Sequence, residues 1–131
     1  MATLFKNFTG NQMALILAWT LFILGFGHVA YGFAKFRAPL IDAAKAGYVG
    51  QFGASDARRA AFWFVIFGPL LVLAGHVAIH AVQVGDMPLL RMVGAYMSAI
   101  SVLGIAAFPK SPFLAGVVVS PLLVAASYGI L

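Results

Sequence analysis

The sequence contains no cysteine and only three acidic residues in 131 positions. The absence of thiols excludes disulfide bonds, thiolate metal sites and cysteine nucleophiles. Asp42, Asp56 and Asp86 all fall between the long apolar runs, so transport coupled to an acid within the membrane is not expected. The chain also carries no Ser-His-Asp arrangement and no phosphate-binding glycine loop, which argues against hydrolysis and nucleotide chemistry.

Charge is scarce and apolar residues are abundant. Charged residues make up 8% of the chain and hydrophobic residues 63%, and the mean hydropathy is +1.04. Because soluble domains devote about a quarter of their residues to charge, this composition predicts a membrane protein. A spanning helix takes about 20 residues, so the chain has room for about four. We therefore predict a single domain, residues 1–131, forming an all-α integral membrane four-helix bundle with spans 13–34, 60–82, 89–107 and 113–131.

Residues 35–59 form the one long connection between the predicted spans. Residues 39–48 could make a short helix along the lipid headgroups, or the segment could be a partly ordered polar loop. The net charge of +5 is better explained by lipid headgroups than by nucleic acid, since the basic residues cluster at span ends. The positive-inside rule predicts a cytoplasmic 35–59 loop and both termini outside. On the predicted inner side are Lys35, Arg37, Lys45, Arg58, Arg59 and Lys110, and on the outer side Lys6 and Arg91.

Small side chains recur at spacings of three and four along the predicted spans, which places them on single helix faces. Small residues let helix backbones approach closely in a membrane. We therefore predict helix contacts, either within the bundle or with a second copy or a larger complex. The predicted contact residues are Ala14, Ala18, Gly25 and Gly32 in the first span, Gly68 and Gly75 in the second, and Gly94, Ser98 and Ser101 in the third.

His28 is the strongly polar member of the first small-residue face. An ionisable residue inside a span is a functional candidate, so His28 is the candidate catalytic or ligand-binding residue. The alternative is a structural hydrogen bond to Ser120, with Tyr31 and Thr20 as other partners. A lipophilic ligand pocket around His28 would use Trp19, Tyr31 and Ser120.

His76 and His80 lie four residues apart and share a helix face, which makes them weak candidates for metal binding. The alternative is a polar patch at the membrane surface. A haem held by His28 and His76 needs both at similar depth, whereas their positions place them about 10 Å apart along the membrane normal. No cofactor is therefore expected, and a haem on one histidine is the weaker alternative.

Several short motifs resemble an uncharacterised bacterial family of small four-span membrane proteins, similar in layout to DoxX-like proteins. The resemblance implies a four-helix bundle in the bacterial inner membrane and no established activity. The motifs are His28-x-x-x-Gly32, Ala61-Phe62-Trp63, Gly68 and Gly75, Pro88, and Pro109-Lys110-Ser111-Pro112-Phe113.

These patterns favour an accessory or self-associating subunit that acts through helix packing. The alternative is a membrane enzyme or binding protein for a lipophilic small molecule, centred on His28. An oligomeric transporter is a third hypothesis.

Overall fold

A computed structural model shows an all-helical chain, which confirms the predicted fold class. The structure describes residues 1 and 9–131 with their side chains, and residues 2–8 only as part of their helix. The helices are α1 (Ala2–Lys35), α2 (Arg37–Lys45), α3 (Asp56–Val84), α4 (Met87–Ala107) and α5 (Phe113–Ser127), with a short 3-10 helix at Gln51–Gly53.

Three of these helices are long and apolar enough to cross a membrane: Thr9–Lys35 within α1, then α3 and α4. The predicted fourth span, 113–131, is shorter than expected because α5 has 15 residues and ends at Ser127. Gly129 adopts a left-handed conformation, φ 69°, which turns the chain out of the helix. Since 15 residues rise about 22 Å, α5 alone falls short of a hydrocarbon core of about 30 Å. The protein is thus a helical membrane protein with three full-length apolar helices and one shorter one.

Local hydrogen bonds fix where α3 and α4 begin. The Ser55 side chain accepts from the Arg58 backbone N–H at 3.2 Å, and Asp86 Oδ1 accepts from the Leu89 N–H at 2.9 Å. Gly85 lies between these two helices with φ 75°, a value that suits glycine and ends α3 in a tight turn. The turn makes α3 and α4 antiparallel neighbours.

Glycines bring α1 and α3 into backbone contact. A Cβ added at Gly25 would lie 2.5 Å from the Val72 nitrogen, and one at Gly75 would collide with the Phe22 backbone. In the second antiparallel pair, α4 and α5, a Cβ at Gly94 would lie 3.1 Å from the Ser120 carbonyl oxygen. Close approach of this kind is how small residues stabilise membrane helices, through dispersion contacts rather than solvent exclusion.

The two pairs pack tightly at one end of the bundle only. Most of the buried residues lie toward the α3–α4 turn, which is near the beginning of α4 and the end of α3, and a few lie near the middle of their helix. This core comprises Ala14, Leu17, Ala18, Leu21, Ala78, Ile79, Ala81, Val82, Leu90, Met97, Val119, Leu123 and Ala126. Toward the opposite end, where α1 and α4 finish, the pairs leave an open space.

Candidate ligand-binding cavity

That open space is a cavity of about 1060 Å³, bordered by α1, α3, α4 and α5 and partly open to the surroundings. Its wall is mostly apolar. Helices α1 and α3 each present one helix face to the cavity. These faces are Leu21, Leu24, His28, Tyr31 and Lys35 on α1, and Ala60, Trp63, Phe64, Phe67 and Leu71 on α3.

His28 is the most polar group in the middle of this wall. Its Nε2 lies 2.9 Å from the Phe64 carbonyl oxygen. Because a carbonyl oxygen only accepts, Nε2 carries the hydrogen, and in the neutral ring Nδ1 is then an acceptor. The imidazole also stacks on the Phe64 ring at a centroid distance of 4.2 Å and meets the edge of Phe67 at 5.5 Å. The ring is therefore held in one orientation by contacts to α3.

The end of the cavity farthest from the core carries positive charge among apolar residues. Lys35 places its ammonium 5.6–5.8 Å from the ring centroids of Tyr31, Phe36 and Phe64. Lys110 and Ser111, in the turn before α5, complete this end. The Ser111 Oγ is buried and makes no hydrogen bond to any described residue. Among the residues that line the cavity none is acidic, so neither lysine is neutralised there.

A family profile matches residues 12–129, which include every residue that lines the cavity. The chain belongs to this family of unknown function, DUF6463. The predicted membership of an uncharacterised family is confirmed at that level, while the DoxX-like layout and the bacterial origin stay predictions. No curated protein and no solved structure matches the sequence.

Of the three residues predicted to line a pocket with His28, Tyr31 lies in the wall. Trp19 lies outside it, 45% exposed on the outer face of α1 with its ring against Phe22. Ser120 is fully buried in the core and also lies outside the cavity. Both placements correct the sequence-based prediction. The physical reason is that Trp19 lies on the outer face of α1, whereas Ser120 is packed inside the bundle, next to the cavity but outside its lining.

The expected hydrogen bond between His28 and Ser120 is wrong. The Ser120 Oγ is buried and has no hydrogen-bond partner among the described residues, whereas His28 bonds to Phe64. Thr20 is not the partner either, since it donates to the Ile16 carbonyl at 2.8 Å. The number of residues to the nearest helix end gives Ser120 nearly the same depth in the membrane as His28. That number does not show that α3, rather than α5, packs against the face of α1 that carries His28.

Replacing Ser120 with alanine tests this correction. We expect the free energy of unfolding of Ser120→Ala to stay unchanged or to rise by up to about 1 kcal/mol, since an unpaired buried hydroxyl no longer has to be desolvated. The measurement is reversible unfolding in mixed micelles. A loss of stability as large as that of His28→Ala would restore the predicted bond.

The other histidines stand apart from His28. His76 and His80 are exposed on α3, and His76 lies with its ring 6.2 Å from that of Phe22. Neither lines the cavity. Within the described residues, no three His, Cys, Asp or Glu side chains come together as a metal site would require.

The small residues predicted for helix packing make contacts inside the chain. Ala14 and Ala18 are buried in the core, and a Cβ at Gly32 would lie 3.0 Å from the Phe64 ring. Gly68 faces Val29 on α1, while Gly25, Gly75 and Gly94 make the close approaches described above. Ser101 is buried beside Gly116 on α5, and Ser98 donates to the Gly94 carbonyl at 2.7 Å.

Sequence reasoning missed several residues of the cavity. It places Trp63 only in a family-like motif and does not single out Phe67. The signal was present in the spacing: positions 60, 63, 64, 67 and 71 form one face of a helix, and positions 21, 24, 28, 31 and 35 form another. Lys35, Lys110 and Ser111 give no such signal, because they border the same cavity only through the arrangement of three helix ends.

Proposed function

We propose that this protein binds a lipophilic small molecule in the cavity between α1, α3, α4 and α5. The observation that carries this proposal is the cavity itself, about 1060 Å³ of mostly apolar space in a chain whose other half is closely packed. Pockets for small molecules typically measure about 300–1,000 Å³ and combine apolar walls with a few polar groups. His28, Lys35 and Ser111 are such groups here.

His28 gives the site its specificity in this proposal. Its Nε2–H is used by the Phe64 carbonyl, so the neutral ring offers Nδ1 to the ligand as an acceptor. A ligand with a hydroxyl or amide hydrogen midway along its length would satisfy that nitrogen. Because the ring is already fixed by Phe64 and Phe67, binding costs no further ordering of the imidazole.

Self-association stays a prediction, as does an accessory role in a larger complex. The small residues that favoured those roles contact other helices of the same chain. Gly25 contacts Val72, for example, and Gly75 contacts Phe22. They therefore give less support to a partner than the sequence indicated, and the cavity supports ligand binding better.

Filling the cavity tests the proposal. A Cβ at Gly27 meets no atom within 4 Å, and Gly27 lines the cavity, so Gly27→Phe can place its ring in the open space. Binding can be followed through Trp63 in a Trp19→Phe background, with a dibrominated long-chain alcohol as the contact quencher. We expect saturable quenching that Gly27→Phe weakens about tenfold or more, equal to about 1.4 kcal/mol of binding free energy.

The matched control is Ala30→Phe. Ala30 lies on the same helix, is exposed, and does not line the cavity. It should bind the alcohol as the parent does. If both variants quench as the parent does, the probe reaches Trp63 from the bilayer alone and the cavity is not a binding site.

A further inference from the structure

Resting on the proposed function, we infer that the ligand is a long-chain amphiphile with an anionic head group, a carboxylate or a phosphate. Its head lies at the end of the cavity formed by Lys35, Lys110 and Ser111, and its chain runs along His28 toward the core. The inference deepens the proposal by naming the chemistry of the ligand.

The first argument is charge. The chain contains three acids, and the described ion pair joins Asp56 to Arg59 at 2.8 Å, outside the cavity. Lys35 and Lys110 line the cavity with no acid beside them. Two ammonium groups at one end of an apolar space attract an anion.

The second argument is hydrogen bonding. The buried Ser111 Oγ has no partner among the described residues, and an unsatisfied buried hydroxyl is costly. An oxyanion would accept its hydrogen. The first turn of α5, which begins at Phe113, adds the positive end of a helix dipole at the same place.

The third argument is shape. The lining on α1 extends from Leu21 to Lys35. At 1.5 Å per residue this lining is about 21 Å long, which exceeds half of a hydrocarbon core of about 30 Å. An acyl chain that normally fills one leaflet therefore fits along it. The Lys35 ammonium is held over three aromatic rings at the open end, where a head group would enter.

The test compares matched probes by Trp63 quenching in the Trp19→Phe background, with the protein in nanodiscs of neutral phosphatidylcholine. The probes are a dibrominated long-chain fatty acid, the corresponding alkyl phosphate and the corresponding alcohol. We expect one or both anions to bind more tightly than the alcohol. In the variant Lys35→Gln/Lys110→Gln, anion affinity should fall about tenfold while alcohol affinity is kept. The two anionic probes show whether the site prefers a carboxylate or a phosphate.

The control Arg37→Gln/Lys45→Gln removes the same charge from the same end of the bundle, outside the cavity lining. It should leave the anion preference intact. Equal losses in the two double variants would show that the basic surface merely concentrates anions, which overturns the inference. Equal affinity for alcohol and anions in the parent would overturn it as well, and leave the proposed function standing. Failure of all three probes to bind in the cavity would instead reject the proposed function.

Discussion

Gly25→Ala is expected to lower the free energy of unfolding by about 1–3 kcal/mol, the usual cost of inserting a methyl group into a closely packed contact. The added Cβ would lie 2.5 Å from the Val72 nitrogen and 2.6 Å from its Cγ2. A side chain could rotate away, but the nitrogen belongs to the α3 backbone. The two helices must therefore separate along their length, which also loosens the His28–Phe64 contact one turn away. Reversible unfolding in mixed micelles measures the loss.

Gly27→Ala is the matched control, two residues away on the same helix. Its Cβ meets no atom within 4 Å, and alanine favours a helix over glycine by up to about 1 kcal/mol. Its stability should equal or exceed that of the parent. If Gly25→Ala and Gly27→Ala behaved alike, the close crossing of α1 and α3 would be wrong.

The all-helical fold was predictable because the hydrocarbon of a membrane offers no hydrogen-bond partners to the backbone. A chain with 63% hydrophobic residues must satisfy its N–H and C=O groups internally, and helices do so within each segment. The length of the fourth span was less predictable, because it depends on a backbone conformation. Residues 128–131 are as apolar as a span, yet Gly129 takes a left-handed conformation that hydropathy does not register.

The site was less predictable than the fold. His28 was found because a polar residue within a span is conspicuous on its own. Its hydrogen-bond partner was not predictable, because the Phe64 carbonyl is a backbone group that every residue type has. The cavity depends on how two helix pairs diverge away from the core. Small residues along α1 determine how closely α1 approaches α3. They do not determine the distance between α1 and α4.

His28→Ala should also destabilise the protein, by about 1.5–2.5 kcal/mol. The hydrogen bond to the Phe64 carbonyl contributes about 1 kcal/mol, and the stacked ring about 0.5–1.5 kcal/mol. His28→Phe separates these contributions, because it keeps a ring against Phe64 and loses the Nε2–H. We expect it to recover most of the stacking contribution and to remain about 1 kcal/mol below the parent.

Ligand binding gives the decisive comparison, because one nitrogen of His28 bonds to the Phe64 carbonyl and the other is the proposed acceptor for the ligand. Loss of Nε2–H weakens the α1–α3 contact, whereas loss of Nδ1 removes the acceptor proposed for the ligand. We expect the parent to bind a brominated alkane that carries a hydroxyl group about tenfold more tightly than the same alkane without it, a difference of about 1.4 kcal/mol. His28→Phe should bind the two probes with similar affinity. Stability unchanged in both His28 variants would show that the bond to Phe64 does not hold the helices. An unchanged preference for the hydroxylated probe in His28→Phe would remove the imidazole from recognition and leave Lys35, Lys110 and Ser111 as the polar groups of the cavity.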